Sequence, residues 1–415
     1  MPFTNADAFA ASHPNHAPAN PIDAVVHPDP YPYYASLAAQ QPFGFDASLG
    51  MWVAAGPEAL AEVLRHPACG VRPAGGAVPP ALAAGPAGEW FGALVRMNDG
   101  PAHGAMKPWL AARLAALHAD RAALVRLHDA TQAACADAYL GRGKAPGACL
   151  DDFVFRQPVY ALAAWLGVPA AQWADVHDDV RRLVAAMAAS GKPSPDTDVL
   201  SLGHTAATAL RRRATRWLDS EGIPGTWLRE TARRAARDDA IDFGMVRANV
   251  VGLFTQTHDA CAGLVANSVR RLARIAATGE TPGASINAPG HDATGAVSAT
   301  TADAIRTVGD VIRVDPPIQN TRRFLHAPAV IGGHTLAKGD TILVVLASAP
   351  SGTSPDGVAW TFGIGTHACP GRSPASTIAA LGVQAILDSA VDLAPLASGT
   401  TYHPLANARI ARFSA

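Results

Sequence analysis

Neither acid nor base dominates this chain: 33 Lys and Arg stand against 34 Asp and Glu, for a formal net charge of −1. Without a basic excess there is no electrostatic footprint for nucleic acid, and none is expected as a partner. Long apolar runs are missing as well, since nothing approaches the roughly twenty successive apolar residues of a membrane span. Met1 to Asn20 lacks the charged start and apolar centre of a signal peptide. We therefore expect a cytoplasmic protein with no membrane association, whose residues 1–20 form a flexible arm ahead of one domain over 21–415. Cysteine is scarce, scattered and odd in number, with five residues at 69, 135, 149, 261 and 369 and no Cys-x-x-Cys pair. That pattern excludes a disulfide framework and a zinc site and points to a reducing compartment. Internal repeats are absent.

What is present is helix. Ala and Leu recur with a period near 3.6, with Arg and Asp on the opposite faces. The pattern predicts helices over about 31–40, 57–66, 105–117, 120–140, 155–166, 170–190, 203–220, 225–236, 240–276, 303–313 and 373–389. Strand-like patches are few: Trp52 to Ala55, Ala329 to Ile331 and Thr341 to Val345 are β-branched and flanked by turn residues. Gly279 to Thr301, rich in Gly, Ala, Ser, Thr and Pro, reads as an exposed loop. The expected fold class is mainly α, a large helical body with a small β-sheet region.

One segment carries chemistry. Phe362-Gly363-Ile364-Gly365-Thr366-His367-Ala368-Cys369-Pro370-Gly371 is a glycine-punctuated loop with a single thiol, opening onto an apolar helix. A thiolate ligand needs a dry, tight turn. Gly363, Gly365 and Gly371 are expected to permit backbone angles a Cβ forbids and to let the chain pass under a flat cofactor, while Phe362 shields the sulfur. One sulfur offered to one open face suits a haem iron. The six fixed positions of Phe-Gly-x-Gly-x-His-x-Cys-x-Gly are all met, and on them the chain strongly resembles the cytochrome P450 superfamily, soluble bacterial type. The resemblance runs from about His27 to the C-terminus. It implies a haem-thiolate domain with haem b (iron protoporphyrin IX) held between a long distal helix and the proximal Cys-loop helix, and Cys369 as the axial metal ligand.

Other stations of the resemblance follow residue by residue. In Asn98 to Lys107, His103 and Lys107 lie one helical turn apart, where the family binds a haem propionate; Lys107 replaces the usual Arg, so a forked contact becomes a point charge. Arg323, with Arg322 as the alternative, and His367 are implied as further propionate ligands. The family's Glu-x-x-Arg brace becomes Asp310-Val311-Ile312-Arg313. Its shorter acid is expected to need a backbone shift or a bridging water, and with only twelve residues between Ala349 and Phe362 the brace is expected to shrink to one ion pair beneath a thinner proximal surface. Pro370 has no N–H to donate to the sulfur, which should leave the thiolate richer in electrons.

On the distal helix, the register of Leu264 to Asn267 puts Asp259 at the family's acid position. Ala260 then replaces the customary alcohol, and Gln256 and Thr257 replace two small residues. Gly252, Gln256 and Ala260 share one helix face, so the Gln256 amide is expected to point toward the haem and hold water there. His258, roughly 200° round the helix from Gln256, should face away from iron, as a packing residue or one behind those that line the site. Cys261 should be core. The lid helices 170–190 and 203–220 offer an apolar roof, and Arg211 to Arg213 a solvated cluster.

The resemblance implies a monooxygenase or oxidase that acts on a small organic molecule of specialised metabolism, using dioxygen and electrons from a ferredoxin or flavodoxin, with Asp259, Gln256 and Ala260 shaping proton supply. Two alternatives stand beside it. One is an atypical enzyme that uses peroxide or catalyses coupling or rearrangement, suggested by Ala260 and Gln256. The other is a non-catalytic haem sensor.

Overall fold

The structure, a computed structural model, describes residues 17–76, 78–142, 146–278, 299–349, 354–389 and 391–414. Its helices, in chain order, are α1 (Tyr31–Gln40), α2 (Pro57–Arg65), α3 (Pro80–Ala83), α4 (Pro86–Gly92), α5 (Gly100–Ala119), α6 (Arg121–Asp137), α7 (Pro146–Leu166), α8 (Trp173–Ala189), α9 (Thr197–Arg216), α10 (Trp227–Ala235), α11 (Phe243–Thr278), α12 (Ala299–Val314) and α13 (Arg372–Leu387). The predominance of helix accords with the sequence. Among the described residues no helix is long and apolar enough to cross a membrane.

Several boundaries differ, for physical reasons. Proline stands in the first turn of α2, α3, α4 and α5, where its fixed φ suits a helix start and no N–H is needed. The expected start of this helix at about 105 is therefore late, since α5 begins at Gly100. The opening turns of α7 are fastened by the far end of the chain, since Asp151 accepts from the backbone N–H of Phe413 at 2.9 Å and of Ser414 at 2.8 Å. Of the expected arm, residues 1–16 lie outside the described residues, while Pro18 is buried and the Asn20 side chain accepts from the N–H groups of Ile22 and Asp23. Most of the expected loop 279–301 lies outside the described residues, and its last three residues open α12.

The main sheet contains β1 (Phe43–Asp46), β2 (Met51–Ala54), β3 (Cys69–Gly70), β4 (Thr321–Leu325) and β7 (Thr341–Val344), ordered β1-β2-β7-β4-β3. Only the β2/β7 pair is parallel. β5 (Ala329–Ile331) pairs with β6 (His334–Leu336), and β8 (Thr401–Tyr402) with β9 (Ala411–Arg412). The strands missed from the sequence are short or polar, as Thr321-Arg322-Arg323 shows, so their pairing comes from the sheet and not from local preference.

The long helix α11 runs through the core, packed against α7, α8, α9, α12 and α13. Close passage is specified at particular residues. A Cβ on Gly263 would come within 2.4 Å of Pro317, and one on Gly382 of α13 within 2.9 Å of the Gln157 amide oxygen. Gln157 itself is fully buried on α7 and donates to Thr131 of α6 and to the Ile378 carbonyl of α13. The chain ends are gathered by Arg409, which is wholly buried. Its guanidinium pairs with Asp315 at 2.9 Å, donates to the carbonyls of Val25, His27 and Pro28, and lies 3.6 Å over the Tyr402 ring.

The brace at the end of α12 departs from expectation. Asp310 contacts Arg313 directly, with no intervening water, and also takes Arg271 of α11 at 3.2 Å. A second cation thus reaches the brace from the long helix, correcting the expected single ion pair. Of the segment expected to thin the proximal surface, residues 350–353 lie outside the described residues, while Asp356 pairs with Arg65 of α2.

A polar pocket interrupts the core where α7, α8 and α11 meet. His258 lies 5.0 Å from the Phe155 ring and 6.4 Å from the His177 ring, while His403 stands edge-on to Phe155 at 5.0 Å. Both ring nitrogens of His177 and the Nε2 atoms of His258 and His403 are buried without a hydrogen-bond partner.

Two expectations follow. Burial, reinforced by Arg156 and His258, pushes His177 down from 6.5 to about 4. The unfolded chain then takes up this proton at higher pH than the folded one, so stability should fall as pH drops from 6.5 toward about 4. Urea midpoints measured across that window should decline, and His177→Phe should flatten the decline. In addition, Asp315→Asn leaves the Arg409 cation buried without its counter-ion and should cost about 3–5 kcal/mol in urea unfolding; a loss below about 1 kcal/mol would show that the pair does not clamp the chain ends.

Candidate active site

The loop before α13 closes on itself. The Cys369 N–H donates to the Phe362 carbonyl at 2.8 Å, Gly363 N–H to Trp360 at 2.8 Å and Ala368 N–H to Gly365 at 3.1 Å. Gly363 (φ 65°) and Gly365 (φ 71°) occupy the left-handed region, where a Cβ is strained. Gly371 does not: with φ −93° and ψ 11° it sits where any residue fits, which corrects the expectation that its backbone needs glycine. A Cβ there would stand 3.8 Å from the Cys369 sulfur. Phe362 is half-buried on the loop's first turn. The Gly371 backbone N–H lowers the thiol pKa, so Pro370 removes one possible donor while its neighbour favours the thiolate.

Cys369 is exposed by surface area, yet burial raises its thiol pKa, with the Gly371 N–H and then Lys107, Arg96 and Arg372 pulling it back down. A side chain surrounded by protein and still accessible faces an internal space, not bulk water. Arg96 shows the same combination: it is exposed, burial lowers its pKa, and the charges of Cys369 and Asp259 oppose that shift. Arg96 thus stands between the sulfur loop and α11. Nothing in its local sequence singles it out.

Around this space the structure gathers the other expected residues. His103 and Lys107 occupy successive turns of α5. The His103 Nε2 is buried without a partner. Burial lowers the Lys107 pKa, and Cys369 counters it. Arg323 is buried on β4, opposite Ile342 of β7, and burial lowers its pKa, as it does that of Arg322. His367 packs 4.2 Å from the His103 ring. Its Nε2 is already engaged by Asp99 at 2.8 Å, a partner that sequence reasoning did not assign. Asp99 also accepts from the Val71 N–H at 3.0 Å, tying the segment after β3 to the start of α5.

On α11 the Gln256 side chain is turned back onto its own helix, donating to the Gly252 carbonyl at 2.8 Å. This corrects the expectation of an amide free to organise water: one hydrogen is already used. Ala260 lies on the same face, half-buried. Asp259 accepts from His258 Nδ1 at 2.7 Å. His258 itself is turned into the core toward α7 and α8, and Cys261 is core, its thiol pushed up to about 12 by burial.

These residues fit a haem. Among the described residues no cluster of three or more His, Cys, Asp or Glu side chains is arranged to hold a metal ion directly, so a metal at Cys369 must bring most of its own ligands, as an iron porphyrin does. Arg96, Lys107 and Arg323 are cations made less favourable by burial, and a dianionic, propionate-bearing macrocycle supplies the missing counter-charge. The orphaned His103 Nε2 is a further unmet polar group.

No protein-family model matches the chain, and no curated protein matches it. Solved structures do. CalO2 superposes with a TM-score of 0.70 at 20% identity, covering 96% of this chain and 99% of its own. P450 RauA, complexed with a biosynthetic intermediate of aurachin RE, gives 0.69 at 18% over 97% of both chains. CYP164A2 of Mycobacterium smegmatis in its ligand-free state gives 0.64 at 20%, over 94% of this chain and 96% of that one. The fold reached from the sulfur loop, the long central helix and the small mixed sheet is that of the cytochrome P450 structures.

Proposed function

We propose that the protein is a haem-thiolate oxidoreductase of the monooxygenase kind, in which Cys369 would supply the thiolate that holds the iron. The observation that carries this reading is the Cys369 sulfur itself, held by a closed loop, facing an internal space and bordered by the cations Lys107 and Arg96. Nearby positive charge and the Gly371 N–H both favour the thiolate. His103, Lys107 and Arg323 would hold the propionates; His367, engaged by Asp99, orients the His103 ring beside it. When bound, the haem supplies oxidation of an organic substrate by dioxygen and two electrons.

The chain's own residues provide the surroundings. Asp259, midway along α11, is anchored by its 2.7 Å contact with His258 Nδ1. Ala260 offers no hydroxyl, and the Gln256 amide already gives one hydrogen to the Gly252 carbonyl. Arg372, exposed beside the sulfur loop, gives the proximal surface a cation suited to an acidic carrier such as a ferredoxin or flavodoxin. For the substrate we infer a small organic intermediate of specialised metabolism, by analogy with the ligand bound to P450 RauA.

Replacing the sulfur tests the reading. The wild-type protein, purified with haem, should give a ferrous–CO spectrum characteristic of a thiolate ligand. Cys369→Ser should lose that spectrum and at least about 100-fold in any oxidative turnover. An unchanged optical signature in Cys369→Ser would refute axial ligation by this residue.

A further inference from the structure

The histidine pocket and the distal acid meet at adjacent residues. His258 and Asp259 follow one another on α11, and their side chains are joined by the 2.7 Å Nδ1–Oδ1 contact. On the far side of His258 is His177, 6.4 Å away between ring centroids. Beyond it, Asp178 places a carboxylate oxygen 3.4 Å from His177 Nδ1, and the Asp178 side chain is half exposed. From surface to cavity the order is Asp178, His177, His258, Asp259. Asp259 in turn is close enough to Arg96 for its charge to be felt there.

The orphaned nitrogens say what fills the gap. His177 and His258 are each less than one-twentieth exposed, yet three of their four ring nitrogens have no hydrogen-bond partner. Leaving so many polar atoms unsatisfied in one place is costly, and internal water is the usual remedy in a polar pocket. At 6.4 Å between centroids the two rings do not bond directly to each other.

We infer that His258 conducts protons from a water held in the histidine pocket to Asp259, a route that does not need the hydroxyl missing at Ala260. The role rests on the haem reading above; the pocket's hydration does not. The imidazole begins as the Nδ1–H tautomer, donating to the Asp259 carboxylate. It takes a proton at Nε2 from the pocket water, which is replenished from the Asp178 side, and gives its Nδ1 proton to Asp259 Oδ1. Asp259 is then a neutral acid able to protonate a group in the cavity, and His258 is left as the Nε2–H tautomer. No electrons move in this step. His177 of α8 and His403 of the C-terminal segment face the pair, with Arg96 on the cavity side; behind them Arg156, Asp152 and Asp178 act on His177, and Asp151 and Arg412 on His403.

The test separates holding Asp259 from feeding it. In His258→Asn the side-chain amide keeps a donor for Asp259 but has no second nitrogen to receive a proton; His177→Phe removes the supply side. Holoprotein of the wild type and both variants is reduced under nitrogen and mixed with oxygenated buffer in H2O and in D2O. The rate of return to the oxidised spectrum is followed as dioxygen leaves with one electron and one proton. Both variants should reoxidise about tenfold more slowly than wild type while keeping its ferrous–CO spectrum, and the wild-type rate should fall in D2O. A crystal structure of the holoprotein gives a readout independent of turnover: an ordered water bonded to His258 Nε2 is expected. Equal rates in wild type and His258→Asn, or a dry pocket at Nε2, would overturn the relay. If the wild-type protein takes up no haem, the proposed function fails and the relay with it; a normal wild-type spectrum with unchanged variant rates overturns the relay alone.

Discussion

A single backbone hydrogen bond, from the Cys369 N–H to the Phe362 carbonyl, closes the loop on which the site depends. Closure needs two glycines in left-handed conformations and leaves the sulfur directed at an internal space. Once a sulfur is placed there, the surrounding charges have a common logic. Lys107 and Arg96 favour its ionised form, and burial opposes it. The same cations are themselves penalised by burial. An arrangement of this kind is stable only with compensating negative charge, which is why the empty-handed cations argue for an anionic cofactor as strongly as the sulfur argues for a metal.

The long helix α11 divides the molecule's chemistry between its faces. Gly252, Gln256 and Ala260 form one, held close by the Gln256 bond to the Gly252 carbonyl. His258 and Cys261 are on the core side, packed against α7, α8 and α13. Asp259 lies at the seam, and its bond to His258 joins the two. Clamps far from the site keep this helix in register: Arg271 reaches Asp310 on α12, and Asn267 donates to the carbonyls of Asp315 and Arg409. A buried arginine that gathers both chain ends around these contacts is expensive unless every donor is met, and four protein acceptors and an aromatic ring meet it.

Much of this was legible from residues alone. The helices followed an apolar period strong enough to locate nearly all of them, and fixed spacing singled out the loop at Cys369 that backbone hydrogen bonds close. His103 and Lys107 were paired by helical geometry, one turn apart. Less legible were elements whose reason lies elsewhere in the chain. β1, β3 and β4 are short or polar and exist because partners complete them, and the first turns of α7 are held by Asp151 bonding to Phe413 and Ser414. Arg96, Asp99 and the Arg271 brace had no local signature, since a charged side chain looks the same in sequence whether it meets water or a counter-charge.

The sequence by itself determined the helical architecture, the tight turn at the sulfur and the missing hydroxyl at Ala260, because each depends on backbone angles, periodicity or atoms that a residue has or lacks. Only the tertiary structure decided which charges face the sulfur, that Gln256 spends its amide on its own helix, and that His258 joins Asp259 to a buried pocket of unpartnered imidazoles. Those outcomes depend on side-chain direction and on neighbours distant in the chain, and electrostatic and hydrogen-bond energies are set by distances that no local pattern encodes.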